Sequence, residues 1–142
     1  MRNFEQTVGN MVEKSTNTFI CYIDEDGCPV TKAMLKPREH EGVHIFYFTT
    51  NTSSNKVKCF KQNNKASIYF VNPRFFRGAS LTGTMEVLET PEAKERIWQK
   101  GDEIYYPKGV TDPDYCVLKF TATKGRFYSD FHSHDFDIKI TI

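Results

Sequence analysis

The chain has 142 residues, of which 39% are hydrophobic and 14% aromatic, and its formal net charge is +1. This length predicts one domain over residues 1–142, large enough to bury a core without disulfide or metal support. The nearly neutral charge does not indicate a nucleic-acid partner or a membrane surface. The longest apolar run, residues 43–48, is far too short to span a bilayer.

Cysteine usage and the start of the chain indicate a cytoplasmic protein. The first ten residues contain no hydrophobic signal region. The four cysteines are scattered, form no CxxC pair and have no nearby His in sequence; they are Cys21, Cys28, Cys59 and Cys116. We therefore expect reduced cysteines, with no disulfide framework and no zinc site.

Hydrophobic spacing and turn residues define the elements of the first half of the chain. They predict a helix over residues 3–15 and strands over 17–24, 30–36 and 43–50. An Asp-Gly turn separates the first two strands, and residues 37–42 turn the chain again before the third. The third strand has apolar side chains on both faces, so packing should cover it on both sides.

The second half continues the pattern, with helices predicted over 53–64 and 90–101 and strands over 65–71, 79–89 and 116–129. Gly83 interrupts the long fifth strand, which indicates a bulge or a bend. Thr90, Pro91 and Glu92 form a typical helix start. Residues 102–115 read as an irregular loop, and the tail over 135–142 could add an edge strand. Short antiparallel strands of this number close most easily into a mainly β barrel with flanking helices.

The sequence FTTNTSSNKVKCF, residues 48–60, is the first candidate site. Five hydroxyl-bearing residues stand together there: Thr49, Thr50, Thr52, Ser53 and Ser54. Asn55 and Lys56 follow, and residues 51–66 contain four lysines and no acid. A cation in the first turn of a helix is unfavourable unless an external anion binds there. Two interpretations fit: a phosphate site, or a serine cap on a solvated basic helix.

The second strand supplies another lysine. Alternation in VTKAMLK places Lys32 and Met34 on one face, and Thr31, Ala33 and Leu35 on the other. Taken alone, Lys32 fits an exposed alternation equally well. Together with Lys56, it predicts an anion site formed by two lysines.

These segments resemble the pyridoxamine 5'-phosphate oxidase-like flavin-binding split barrels, in particular short bacterial members related to general stress protein 26. The resemblance covers roughly residues 15–125 and rests on VTKAML, IFYFTT, SSNKVKCF and LTGTMEVLE, with a later Tyr-Tyr-Pro loop. It implies a six-stranded antiparallel split barrel of the FMN-binding type. It also implies a homodimer with two FMN (flavin mononucleotide) sites at the interface.

The resemblance further implies nine cofactor-binding residues: Thr31, Lys32, Ala33, Met34, Thr49, Thr50, Ser54, Asn55 and Lys56. Residues 31–34 would run along the isoalloxazine ring and hydrogen-bond its polar edge through the backbone. Lys32 stands where many members have Arg. Thr49 and Thr50 would line the flavin and its phosphate, which Ser54, Asn55 and Lys56 would hold with the helix N-terminus.

The implied function is an FMN-dependent oxidoreductase acting on an unknown small molecule, with no catalytic residue identified. The alternative is a flavin-binding, or haem-binding, stress or redox-sensing protein without turnover; some related split barrels bind a deazaflavin. Pyridoxamine 5'-phosphate oxidase activity itself is not expected, since the C-terminal Arg-x-His of those enzymes is missing and the one such triplet here is Arg38–His40. Single-stranded nucleic-acid binding is disfavoured by the charge.

Three further groups have alternative interpretations. Trp98, Tyr105 and Tyr106 either cover a flavin from the partner subunit or, as we slightly favour, pack on the barrel. Phe75 and Phe76 should be buried, in a dimer or by the chain itself. His132, His134 and Asp135 carry metal-ligand chemistry, but we expect a polar terminal segment and no metal site.

Overall fold

The computed structural model describes residues 3–139, which form three α-helices, eight β-strands and two short 3-10 helices. The helices are α1 Phe4–Lys14, α2 Asn55–Gln62 and α3 Pro91–Ile97, and the 3-10 helices are Asp102–Ile104 and Gly109–Thr111. The strands are β1 Asn17–Ile23, β2 Pro29–Leu35, β3 Glu39–Glu41, β4 Ile45–Asn51, β5 Lys65–Asn72, β6 Arg77–Leu88, β7 Tyr115–Ser129 and β8 His132–Asp137.

The strands form one antiparallel sheet in the order β2-β1-β5-β6-β7-β4-β3, and β8 pairs with the second half of β7. The mainly β class with flanking helices is confirmed, but the described chain has eight strands where six were expected. The additional strands are β3, in the segment predicted to turn, and β8, which begins three residues before the predicted tail strand. β3 has only three residues and no apolar alternation, and it is a strand because it pairs with β4.

Two clusters of buried side chains lie on opposite faces of β4, as its apolar faces predicted. Phe46 and Phe48 belong to the main core, which α1 and α2 help to cover. Tyr47 belongs to a second cluster, where it packs near Ile97 of α3 and Tyr115 of β7. Burial of each such ring stabilises the fold by about 1.5–3 kcal/mol, so β4 is a central element of the molecule.

Gly83 marks a bulge between β6 and β7, as the sequence predicted. The pairing shifts there, because Thr82 opposes Lys124 while Gly83 opposes Ala122. A Cβ atom on Gly83 would lie 1.9 Å from the carbonyl oxygen of Thr121. Only glycine therefore allows the two backbones to approach this closely.

The predicted start of α3 is also confirmed, since Thr90 Oγ1 accepts a hydrogen bond of 3.3 Å from Ala93 N.

The loop after α3 is held to the segment after β2, because Arg38 donates hydrogen bonds to both carboxylate oxygens of Asp102 at 2.7 and 3.2 Å. The rings of Tyr106 and Tyr115 pack at 4.7 Å. Trp98 packs against both of these rings. Packing on the barrel is thus the role the structure shows for Trp98 and Tyr106.

Several predictions concern exposed positions. Phe75 and Phe76 are 55% and 77% exposed, so the prediction that the chain itself buries them is wrong, while burial by a partner remains a prediction. His132 and His134 are exposed on β8. Within residues 3–139 no group of three or more His, Cys, Asp or Glu side chains is placed to hold a metal ion. All four cysteines are free thiols.

Within residues 3–139, every helix is too short or too polar to pass through a lipid bilayer. The last three residues of the predicted tail strand, 140–142, lie outside the described part of the chain.

Candidate functional site

The N-terminus of α2 has no side-chain cap, although its sequence offers Ser54 for that role. Ser54 occupies the N-cap position, but its hydroxyl makes no capping hydrogen bond, and the first turn contains no acidic residue. Ser54 Oγ is buried and has no hydrogen-bond partner within residues 3–139. The interpretation of this serine as a cap is therefore wrong. A buried hydroxyl next to free first-turn amides is an arrangement that accommodates an external acceptor.

Lys56 lies in the first turn of α2 and is only 9% exposed. Burial lowers the pKa of Lys56, and the neighbouring charge of Lys32 lowers it further, while Cys116 has a small opposing effect. Neither lysine forms an ion pair within residues 3–139, so no carboxylate there neutralises the pair. The structure thus brings together the two lysines that the sequence singled out.

Lys32 reaches α2 because of the register of β2. In the sheet it pairs with Ile20, which is fully buried, so its side chain lies on the inner face of β2. Met34 shares that face and packs against the main core. The side chains of Thr31 and Ala33 lie on the outer face, and Thr31 Oγ1 is 3.2 Å from Cys21 Sγ. The structure therefore does not bring those two side chains to the lysine pair.

Within the described residues β2 pairs only with β1, so it is an edge strand. The backbone N–H and C=O groups along its other edge have no strand partner there. Such groups bind a polar ligand edge or another strand. Most of β2 is exposed, including Leu35 at 58%.

The turn that leads into α2 is held by an acid from a distant loop, Asp114. Its carboxylate accepts hydrogen bonds from Ser53 N at 2.7 Å and from Asn51 Nδ2 at 2.9 Å. The hydrogen bond from the Ser53 backbone, followed by those from the Asn51 and Ser53 side chains, holds the pKa of Asp114 below its ordinary value. Because the acid binds one residue before the N-cap, the first-turn donors of α2 remain free. Local sequence could not reveal this contact, which joins residues 61 positions apart.

The two threonines of β4 lie in different surroundings. Thr50 is buried and opposes Cys116 in the sheet, where burial raises the pKa of the Cys116 thiol. Thr49 lies within hydrogen-bond reach of the Tyr106 hydroxyl; burial raises the pKa of Tyr106 and the Thr49 contact opposes that rise. Asn55, at the start of α2, is exposed, and its side-chain nitrogen is 3.5 Å from the Tyr22 hydroxyl of β1.

A cleft of about 430 Å³ opens beside Thr49, between the end of β2 and β4. Leu35 and Phe48 give it apolar walls, and Arg38 and Gln99 add polar groups. Its volume and mixed lining are typical of sites for small molecules. The sequence predictions identified Thr49 but not Gln99. Gln99 is held here because its backbone N–H donates to Asp102, which is itself paired with Arg38.

Comparison with known proteins identifies the family to which this fold belongs. Residues 3–141 match the model of the family described as pyridoxamine 5'-phosphate oxidase like. The chain belongs to the pyridoxamine 5'-phosphate oxidase-like family, as its motifs predicted. No curated protein matches the chain.

Solved structures confirm the fold and place the chain near the general stress proteins. It is 40% identical to a Clostridium acetobutylicum protein related to general stress protein 26 of Bacillus subtilis, with a TM-score of 0.87 over 95% of this chain and 94% of that one. General stress protein 26 from Bacillus anthracis has 14% identity and a TM-score of 0.78, over 96% and 100% of the two chains. A haem-binding protein from Mycobacterium smegmatis has 15% identity and a TM-score of 0.74, over 96% of this chain and 59% of that one. The last two likenesses are of fold alone.

Proposed function

We propose that this chain is a single-domain FMN-binding flavoprotein of the cytoplasm. We further propose that it is an FMN-dependent oxidoreductase acting on a small molecule that the site does not identify. The proposal combines the family with the chemistry of the α2 N-terminus and β2. True pyridoxamine 5'-phosphate oxidase activity is not part of it, because the sequence lacks the C-terminal Arg-x-His.

The observation that carries the proposal is the uncompensated charge at the start of α2. Burial and the neighbouring charge of Lys32 lower the pKa of Lys56, and the buried Ser54 hydroxyl has no partner within residues 3–139. A phosphate dianion would accept hydrogen bonds from Ser54, from the first-turn amides and from Lys56. Its negative charge would attract both lysines and so offset the repulsion between them. The residues present therefore fit the phosphate of FMN.

The remaining proposed residues suit the flavin ring. The free edge of β2 offers backbone donors and acceptors over residues 31–34, and Thr49 faces a cleft with an apolar wall. Thr50 lies between Thr49 and the turn into α2, where it would contact the phosphate end. Bound flavin would supply the electron-transfer chemistry, while the chain binds and orients it and excludes water from one side.

The outer face of β2, β1 and β5 supports a homodimer with the cofactor sites at its interface. Leu35, Tyr69 and Val71 are large apolar side chains exposed on this region of the molecule. Phe19 lies between Ala33 and Tyr69 in the sheet. A contiguous apolar surface of this kind is typical of a protein interface.

The second candidate is a flavin- or haem-binding protein without turnover, which the Mycobacterium smegmatis neighbour keeps in consideration. A haem needs an axial ligand, and Met34 is the one candidate among the nine proposed residues. The two lysines and the Ser54 hydroxyl suit a phosphate better than an iron porphyrin, because they offer donors and positive charge.

The absorbance spectrum of the purified protein separates these proposals. Bound flavin absorbs at about 450 nm, whereas haem gives a different, more intense band. Colourless protein that also fails to bind added FMN would contradict both flavin proposals. Anaerobic reduction by NADH or NADPH, followed by reoxidation with candidate acceptors, then tests turnover. Flavin binding without turnover for any donor would leave the second candidate, a binding protein without turnover.

A further inference from the structure

A second cavity lies outside the candidate cofactor site, between the C-terminal half of α1, the start of β1 and the β5–β6 hairpin. Its volume is about 640 Å³. Met11, Phe19 and Val71 give it an apolar floor, and hydroxyl and amide side chains line much of its rim. Two cations, Lys14 and Arg77, line it, and no acidic residue does.

In the described part of the chain neither cation is paired with an acidic side chain. Arg77 Nε is buried and donates no hydrogen bond there, although the guanidinium carbon lies 5.2 Å from the centre of the Phe75 ring. A buried guanidinium N–H without an acceptor is costly, because the group has lost water and gained nothing in exchange. The stacking on Phe75 holds the guanidinium in place without satisfying its donors.

We propose that this cavity binds a small organic anion, a molecule with an apolar body and a carboxylate, sulfonate or phosphate group. The apolar body would cover Met11, Phe19 and Val71, and the anionic group would accept hydrogen bonds from Arg77 and face the charge of Lys14. A guanidinium that already stacks on an aromatic ring presents its planar edge to such a group. The site shares no residue with the lysine pair at α2. Because Phe19 and Val71 also belong to the face proposed for the dimer, the proposal requires that the dimer leaves this end of the face open.

The test uses anilinonaphthalene sulfonate, a fluorescent aromatic anion, with the purified full-length protein and an excess of FMN. Arg77→Gln should weaken binding about tenfold or more, the effect of losing a charge-assisted hydrogen bond. Arg74→Gln is the matched control, because Arg74 stacks on the same Phe75 ring at the same 5.2 Å distance but does not line the cavity. Its affinity should stay within about twofold of the unmodified protein. Lys14→Gln replaces an exposed residue at the end of α1 and should weaken binding by a smaller factor. It therefore tests the site even if the Arg77→Gln protein does not fold.

An uncharged analogue, phenylnaphthylamine, provides the second readout. It should bind the protein and Arg77→Gln equally, because the apolar floor is unchanged. Equal effects of the Arg77 and Arg74 substitutions on the sulfonate probe, or none from either, would overturn the proposal. Probe binding that occurs without FMN but is lost in excess FMN would also overturn it, because the probe would then occupy the cofactor site.

Discussion

Lys56 carries more of the proposed site than any other residue. It is nearly buried, it faces Lys32, and no carboxylate within residues 3–139 pairs with it. In the protein without ligand such an arrangement reduces stability, because desolvation and like-charge repulsion both disfavour the ammonium. A site that binds an anion tolerates this cost, since the ligand removes it.

Lys56→Met should therefore stabilise the protein in the absence of FMN. Methionine retains most of the buried stem and removes the charge, so the free energy of unfolding should rise by about 1 kcal/mol. Chemical denaturation of the ligand-free protein measures this. Lys58→Met, at an exposed position of the same helix, is the control and should change little. A loss of stability in Lys56→Met would show that its charge is compensated.

The lowered pKa of Lys56 also predicts a pH dependence. The ordinary pKa of a lysine is 10.5, and in the free protein Lys56 loses its proton at a lower pH than this. In that range the unfolded chain binds more protons, and the stability of the free protein should rise with pH. FMN affinity should fall over the same range by about tenfold or more, because the neutral amine cannot hold a phosphate dianion.

Titration of Lys56→Arg with FMN over the same pH range isolates this effect. Arginine keeps its charge throughout, so its affinity should lack the Lys56 step. Deprotonation of the flavin itself is common to both proteins and cancels in the comparison. Identical pH profiles for the two proteins would contradict the assignment.

Among the elements, the bulge between β6 and β7 depends on one residue. Both strands run through the main core, and their pairing shifts by one residue at Gly83. The close approach of Gly83 to the Thr121 carbonyl leaves no room for a side chain. The bulge bends the longest pair of strands in the described chain, which lets the two ends of the sheet curve over the core.

Gly83→Ala should destabilise the protein by at least about 2 kcal/mol, because backbone on both strands must move. Gly9→Ala, in α1, is the matched control, and its expected effect on stability has the opposite sign. Its new methyl group would lie 4.0 Å from Val43 Cγ1, an ordinary contact. It should raise stability by about 0.5–1 kcal/mol through helix propensity. Thermal unfolding of both variants tests the pair, and equal stabilities would disprove the bulge argument.

The elements also show where local sequence was sufficient. The start of α3, the two apolar faces of β4 and the Gly83 bulge were predicted, because each depends on neighbouring residues. β3 and the contact of Asp114 with the α2 turn were not predicted. Both depend on pairing with distant parts of the chain, and nothing within Glu39–Glu41 or residues 51–56 encodes the partner. Lys32 and Lys56 were identified because strand alternation fixes the face of Lys32 and because Lys56 lies in the first turn of a predicted helix.

For the whole molecule, the main question is what covers the outer face of β2. This edge strand is exposed on most of its length, and Leu35, Tyr69 and Val71 extend the apolar surface across the sheet. A homodimer that buried this face would cover the free edge of β2 and complete the proposed cofactor site from a second copy. Stable interfaces bury about 800 Å² on each partner.

Leu35→Glu should weaken the dimer by about tenfold or more in dissociation constant, because it places a charge in an apolar interface. Light scattering coupled to size exclusion at several concentrations measures the mass. Ile104→Glu, at a position 80% exposed on the loop before β7, is the control and should leave the mass unchanged. A wild-type monomer, or a Leu35→Glu protein that dimerises as tightly as the wild type, would contradict a dimer through this face.

The most direct test of the proposed site compares FMN binding by Lys56→Ala and Lys58→Ala. The two substitutions remove the same side chain two residues apart on α2, one from a nearly buried position and one from an exposed position. Lys56→Ala should weaken FMN binding by about 1.5–3 kcal/mol, or roughly 10- to 150-fold, whereas Lys58→Ala should stay within about twofold of wild type. Unchanged affinity in Lys56→Ala, or equal losses in both variants, would contradict a phosphate site at the start of α2.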